Sequence, residues 1–129
     1  MKILNILVRR CLPLERFDAA VAFYEDLVGQ PARLRFNYPE HELKLAQIAS
    51  LLLIAGTERS LVPFAETEAA FLVEDIEAYA TSLQARGAAI LRPVKPVPTG
   101  WNMLVHHPDG MLVEYVEHRD KHAADRLAV

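Results

Sequence analysis

The sequence predicts an α+β protein in which one strand–helix–strand–strand–strand order occurs twice. Three observations predict it. A turn signal, Pro108-Asp109-Gly110, stands between two apolar, strand-forming runs. Two stretches carry apolar residues at spacings of three and four, and each stops at a glycine, Gly29 and Gly87. Short runs of strand composition surround each helical stretch in the same order.

Residues 3–8 are apolar except for Asn5 and rich in strand formers, which places the first strand there. Pro13 ends regular structure before the next element. Over residues 14–28, Leu14, Phe17, Val21, Tyr24, Leu27 and Val28 recur at helical spacing, while Asp18, Glu25 and Asp26 fall largely on the other side. Gly29 is a C-terminal stop, with Pro31 just beyond. Residues 33–38 alternate as a period-2 strand. Residues 39–42 make a turn, residues 43–48 alternate again, and residues 51–55 form a further strand closed by Gly56. Residues 57–67 are polar, contain Pro63 and lack periodicity, so they read as a connection between halves.

The order then restarts. Residues 68–73 form a short apolar strand. Glu74 and Asp75 put negative charge in the first turn of a helix, as its dipole favours. Ile76, Tyr79, Ala80 and Leu83 carry that helix toward Gly87. A strand starts at 89–91, and Pro93, Pro96 and Pro98 confine the next residues to an edge or an extended loop. Residues 101–105 and 111–116 make the closing hairpin. In its second arm Leu112, Glu114 and Val116 share one face, and Val113 and Tyr115 the other. Glu114 is thus a carboxylate among apolar neighbours, and such a charge has to be paired, metal-bound or neutralised. Residues 118–129 form a charged, Ala-containing tail, fit for a surface helix or a subunit contact.

Composition excludes several classes. A net charge of -3, with no basic run beyond Arg9-Arg10, argues against a nucleic-acid surface. The single Cys11 excludes an internal disulfide framework and fits a reducing compartment, so a cytoplasmic protein is expected. The longest apolar run, residues 51–55, is far too short to span a bilayer. The early arginines come after the first apolar stretch instead of preceding it, unlike a signal peptide. There is no glycine-rich phosphate loop, no nucleophile elbow and no Cys/His pair at zinc-finger spacing.

Three segments in the doubled order carry a family resemblance: Ala22-Phe23-Tyr24-Glu25-Asp26-Leu27-Val28-Gly29, Ala70-Phe71-Leu72-Val73-Glu74-Asp75-Ile76, and His107-Pro108-Asp109-Gly110-Met111-Leu112-Val113-Glu114. The chain resembles the vicinal oxygen chelate superfamily, which includes glyoxalase I, the bleomycin-resistance proteins and extradiol dioxygenases. The resemblance implies the glyoxalase/bleomycin-resistance fold: two βαβββ modules whose curved mixed sheets form a cup, with helices outside. It implies one domain over residues 1–129, with module one at about 1–57, a linker at about 58–67, module two at about 68–118 and a tail at 119–129. It further implies a homodimer and a small-molecule ligand inside the cup.

Metal-using members hold one divalent ion by residues of the first and last strands of each module. Carried over, those positions are Asn5, Leu53, Glu68 and Glu114, the third and fourth being in module two. Only Glu114 has the usual identity. An amide oxygen and two carboxylates make a hard donor set, unlike the imidazoles that zinc, iron or nickel prefer and closer to what Mg²⁺ or Mn²⁺ takes. The leading expectation is a small-molecule-binding protein without a transition metal, with ligand contacts from Asn5, Arg9, Phe36, Tyr38, Trp101, Glu68 and Glu114. Two alternatives stay open: a divalent-metal lyase, isomerase or dioxygenase using Glu114, Glu68 and Asn5, and a non-catalytic assembly module. Arg9 has the fork geometry for an anion, yet also suits a solvated strand end. Phe36, Tyr38 and Trp101 could stack on a planar ligand or simply pack. Of His106 and His107, alternation points one to the cup side. Gln47 is a further polar candidate on a strand of unsettled register.

Overall fold

The computed structural model describes residues 1–120. Its strands and helices are β1 (Ile3–Pro13), α1 (Phe17–Val28), β2 (Leu34–Tyr38), β3 (Leu43–Ile48), β4 (Leu51–Gly56), α2 (Glu58–Leu61), β5 (Ala69–Val73), α3 (Ile76–Ala85), β6 (Ala89–Val97), β7 (Gly100–His106) and β8 (Leu112–His118). The chain divides into two compact units. One is Val8–Glu66; the other joins Met1–Leu7 to the described residues 67–120. The division falls inside β1.

In the unit Val8–Glu66, hydrogen-bonded strands take the order β2-β3-β4-β1. β1 runs parallel to β4 from Val8↔Leu51 to Pro13↔Gly56, and β3 pairs antiparallel with β4 and β2. This pairing carries β1 five residues past the end the sequence suggests, through Arg9 and Arg10. α1 lays Phe17 and Val21, with Ala20 and Tyr24, against Leu12, Ala46, Ile48, Leu53 and Ala55. Its end is set by Gly29 at φ 76, whose N–H donates to the Glu25 carbonyl at 2.9 Å. The residues expected to be a bare connection contain α2 and a 3-10 turn, Val62–Phe64. The Thr57 hydroxyl caps α2 by accepting from the Ser60 N–H at 3.1 Å. A helix of one turn has too few residues to show a period, so periodicity could not reveal it.

In the other unit the order is β1-β5-β8-β7-β6. β5 and β8 are parallel, while β8, β7 and β6 are antiparallel. The doubled connectivity expected from the sequence is therefore present: in each βαβββ set the first strand lies beside the last. α3 packs Ile76, Tyr79, Ala80 and Leu83 on Val73, Met103, Val105, Val113 and Tyr115. Two carboxylates hold its N-terminus. Asp75 Oδ1 accepts from the Ala78 N–H at 3.2 Å, and Glu117 Oε1, reaching from β8, accepts from the Ile76 N–H at 2.9 Å. The Pro-Asp-Gly turn forms: Gly110 takes φ 96, its N–H donates to the His107 carbonyl, and Asp109 Oδ1 accepts from the Met111 N–H. At the other end of β7, a Cβ on Gly100 would stand 1.9 Å from the Glu117 carbonyl oxygen. Residues 121–129 of the expected tail lie outside the described residues. Among the described residues no helix is long and apolar enough to cross a membrane.

Candidate functional site

Each unit covers one sheet face with a helix. The opposite faces are where a ligand could reach the strands. In the unit of α3, alternation and cross-strand pairing define that face as rows. Ala70, Glu114, Leu104 and Arg92 form one row, because Ala70↔Glu114, Leu104↔Glu114 and Arg92↔Leu104 are paired. Leu72, Val116, Asn102 and Lys95 form the next, through Leu72↔Val116, Asn102↔Val116 and Lys95↔Asn102. His106 pairs with Leu112 on the other side of Glu114 and is exposed. Glu114 is half-buried in β8, with Ala70 and Leu104 beside it and Leu112 and Val116 before and after.

Arg92 and Lys95 reach this face only because β6 is irregular. Register shifts lie between Ile90 and Arg92 and again between Arg92 and Lys95. Ile90 and Val94 pack with the α3 core, so plain alternation would send Arg92 there as well. Arg92 Nη2 instead donates to Asn102 Oδ1 at 2.7 Å, and Nη1 approaches the Asn102 carbonyl at 3.5 Å. Sequence reasoning missed Arg92, Lys95 and Asn102. The available signal was Pro93 and Pro96: neither has an N–H for the ladder, and both break the period-2 pattern around them.

The residues singled out from the sequence are distributed over both units. Glu68 immediately precedes β5 and is exposed. Its N–H donates to the Leu112 carbonyl at 2.9 Å, and its Oε2 accepts from the Leu112 N–H at 3.1 Å. Asn5 is half-buried in β1, and its Oδ1 accepts from the Ile6 N–H at 2.9 Å. Trp101 lies on the other face of β7, packed against the α3 core with the Arg119 guanidinium 4.8 Å from its ring centre. Arg119 Nη1 also donates to the carbonyls of Val97 and Pro98. Arg9, Phe36 and Tyr38 belong to the unit Val8–Glu66. There Arg9 pairs with Leu52, and Phe36 and Tyr38 pair with Leu45 and Leu43, all on the face opposite α1. The Phe36 and Tyr38 rings are 6.4 Å apart, and the Arg9 guanidinium lies 5.8 Å from the Phe64 ring centre. Leu61 of α2 lies over the same face beside Gly56. Gln47 is buried, with Nε2 donating to the Ala49 carbonyl at 2.9 Å.

The correspondence of Leu53 with Glu114, obtained by laying residues 51–54 over 112–115, does not hold. Leu53 points into the α1 core, whereas Glu114 lies on the face away from α3. A slip of one residue exchanges the faces. The residues of β4 on the matching face are Leu52 and Ile54, which are equally unable to bind a metal. Among the described residues no group of three or more His, Cys, Asp or Glu is placed to hold a metal ion. With Glu68 turned to a backbone amide and apolar residues in the β4 positions, the donor set does not fit a transition ion.

His107 takes the other direction from His106. Its Nε2 shares a 2.7 Å hydrogen bond with the Tyr115 hydroxyl, inside a ring cluster with Phe71. Tyr79 packs on Tyr115 from α3. Burial, and after it Tyr79, pushes the Tyr115 hydroxyl up to about 12. Tyr79 is also raised, by burial first and then by Glu74, with Arg86 opposing. On the α1 side of the other unit a cavity of about 420 Å³ is lined by Phe17, Asp18, Arg35, Phe36, Asn37 and Lys44. Arg35 closes part of it with a 2.7 Å ion pair to Asp18 over the Phe17 ring.

No family model and no curated protein matches the sequence. Among solved structures, an uncharacterized protein from Methanosarcina mazei is 47% identical, covers 92% of this chain and 94% of its own, and superposes with a TM-score of 0.83. Methylmalonyl-CoA epimerase from Mycobacterium tuberculosis is 20% identical, with coverage of 95% and 93% and a TM-score of 0.69. A variant of the Streptomyces coelicolor methylmalonyl-CoA epimerase in complex with 2-nitronate-propionyl-CoA is 20% identical, with coverage of 92% and 99% and a TM-score of 0.64. The α+β fold expected from the sequence is thus the one these epimerases share. With the Methanosarcina mazei protein the chain belongs to one family, and its fold is the glyoxalase/bleomycin-resistance fold that the sequence resemblance implied.

Proposed function

We propose that the protein binds a small organic molecule on the sheet face of β5, β8, β7 and β6, using Glu114 as the polar anchor and no resident transition metal. The observation that carries this reading is the setting of Glu114: a half-buried carboxylate whose neighbours on the face are Ala70, Leu72, Leu104, Leu112 and Val116, with Arg92, Asn102 and Lys95 farther along it. Ligand sites combine an apolar lining with a few placed polar groups. A carboxylate with little water around it accepts hydrogen bonds from hydroxyl or amine donors more strongly than one in bulk solvent. The fold supports the reading too, since a Streptomyces coelicolor epimerase of this fold is in complex with a CoA ester.

Native mass spectrometry and thermal shift against a chemically varied set of polar organic molecules test it. A compound that stabilises the protein should bind at least about tenfold more weakly to Glu114→Gln. If no compound binds, or if binding ignores that substitution, the reading fails. The metal-dependent alternative draws on one observation, that Glu68 precedes β5 on the side of Leu112 and within one row of Glu114. A stoichiometric divalent ion in the purified protein, lost on Glu114→Ala, would favour it over our reading.

We further propose that the protein forms a homodimer. Phe23 and Leu27, one turn apart on α1, are 59% and 67% exposed. Large apolar side chains aligned in this way are ordinarily covered by a partner. Sedimentation should show a dimer, and Phe23→Ser with Leu27→Ser should shift it to monomer; a monomeric unmodified protein would overturn this.

A further inference from the structure

We propose that Arg92, Lys95 and Asn102 form an oxyanion-binding subsite, so that the ligand is an organic anion carrying a carboxylate or a phosphate. The inference rests on the reading of the Glu114 face and names the chemistry that the other end of that face would take.

β6 is an edge strand of nine residues with two register shifts. A bulge re-aims side chains at the cost of ladder hydrogen bonds. Here the two shifts act together. Arg92 and Lys95 are three apart, a spacing that puts residues of a regular strand on opposite faces, yet their partners Leu104 and Asn102 share one face. Both cations therefore stand on the Glu114 side. Asn102 takes both Nη groups of Arg92, Nη2 through its Oδ1 at 2.7 Å and Nη1 through its carbonyl at 3.5 Å, which fixes the plane of the guanidinium and leaves the edge of Nε and one Nη for a ligand. A fixed fork binds a carboxylate or phosphate with less loss of freedom than a loose one. Asn102 also retains its own amide N–H groups as donors. Among the described residues neither Arg92 nor Lys95 has a carboxylate partner. Arg92 is half-buried and Lys95 exposed, so the pair runs from the sheet face to solvent.

The geometry also sets a length. Glu114 and Arg92 are separated by one intervening strand, and adjacent strands lie about 4.8 Å apart, so their backbones are roughly 10 Å apart across the face. The fitting molecule has an oxyanion at one end and a hydroxyl or amine donor at the other, with an apolar stretch over Leu104.

The test uses the full-length protein, isotopically labelled, titrated with inorganic phosphate and separately with acetate, against sodium chloride of the same ionic strength. The readout is the NMR shift of the Arg92 Nε–H and the Asn102 side-chain amide. Saturable shifts with phosphate or acetate and none with chloride are expected, and the stronger of the two decides between phosphate and carboxylate. Arg92→Gln and Lys95→Gln should each weaken the binding about tenfold or more while leaving the amide shifts of the α3 core in place. Shifts that do not saturate, or that both variants retain, overturn the subsite. If that happens while a neutral ligand still binds in a Glu114-dependent manner, the anion assignment alone is lost. If neither phosphate, acetate nor any organic ligand binds, the reading of the whole face falls with it.

Discussion

Glu117 shows how one side chain can serve two elements. It is a residue of β8, and its carboxylate accepts from the first N–H of α3, forty-one positions earlier in the chain. That N–H is an orphan at a partly buried helix start, and the negative charge meets the positive end of the helix dipole. Glu117→Ala should cost about 1–2 kcal/mol in denaturant unfolding, and Glu117→Gln less. Tyr115 contributes a pH dependence. Its hydroxyl titrates at about 12 in the folded protein and near 10 when unfolded. The unfolded chain therefore loses its proton first. The stabilisation is whole below pH 10 and is lost as pH rises from 10 toward 12. Melting temperature should fall across that window, and Tyr115→Phe should flatten the fall while lowering stability at neutral pH, since the hydrogen bond shared with His107 goes with it. Tyr79, also raised, acts with the same sign. An alkaline limb of unchanged slope in Tyr115→Phe would contradict this.

At the scale of elements, β6 and α2 depart most from simple pattern. Leu91 is the residue skipped between Ile90 and Arg92 in the pairing with β7. Deleting it makes Ile90↔Val105 and Arg92↔Leu104 consecutive steps of a regular ladder, and Arg92 keeps its face. That variant should fold, with a stability change within about 1 kcal/mol, because Leu91 is exposed and leaves no cavity. Deleting Leu104 from the regular β7 should act in the opposite way. Met103, a core residue, would then be turned to the other face, with a loss of several kcal/mol or failure to fold. Circular dichroism melts of the two deletions check this, and equal damage in both would show that the bulge itself supports the fold. The β3–β4 hairpin holds a smaller strain: Ala49 takes φ 50, a left-handed conformation that costs a residue with a Cβ about 1 kcal/mol, and the buried Gln47 amide steadies it through the Ala49 carbonyl. Ala49→Gly should be neutral or slightly stabilising in the same melts, and Gln47→Leu destabilising.

For the molecule as a whole, the doubled βαβββ order was legible because each part of it has a local cause. The 3.6-residue period of residues 17–28 and 76–85, the αL stop at Gly29 and the Pro108-Asp109-Gly110 turn are all written in neighbouring residues. The placement of Glu114, half-buried with apolar neighbours on the face away from α3, was legible too, since a carboxylate in an alternating apolar strand stands out. What depends on register was not. Leu53 falls on the wrong face in the sequence correspondence because nothing local distinguishes residue 53 from 52 or 54 in an all-apolar strand. Trp101 reads as a ligand platform and packs with α3, because either face of β7 can take an indole. Arg92 and Lys95 were hidden by the same prolines that mark their bulges. The donor set around Glu114 leads to one further expectation. Treatment with EDTA should leave the melting temperature of the purified protein unchanged, and a drop of more than about 2 °C, restored by a divalent ion, would show that a metal contributes to its stability.

Gly100 carries a consequence for anyone reading tolerance maps of this chain. No side chain fits where even a methyl carbon would overlap the Glu117 carbonyl, so a saturation library should be depleted of all nineteen alternatives there under any selection that merely requires folded protein. Intolerance at residue 100 would thus report steric exclusion between two backbones. Depletion at residues 92 and 95, by contrast, should emerge only when survival depends on what the protein binds.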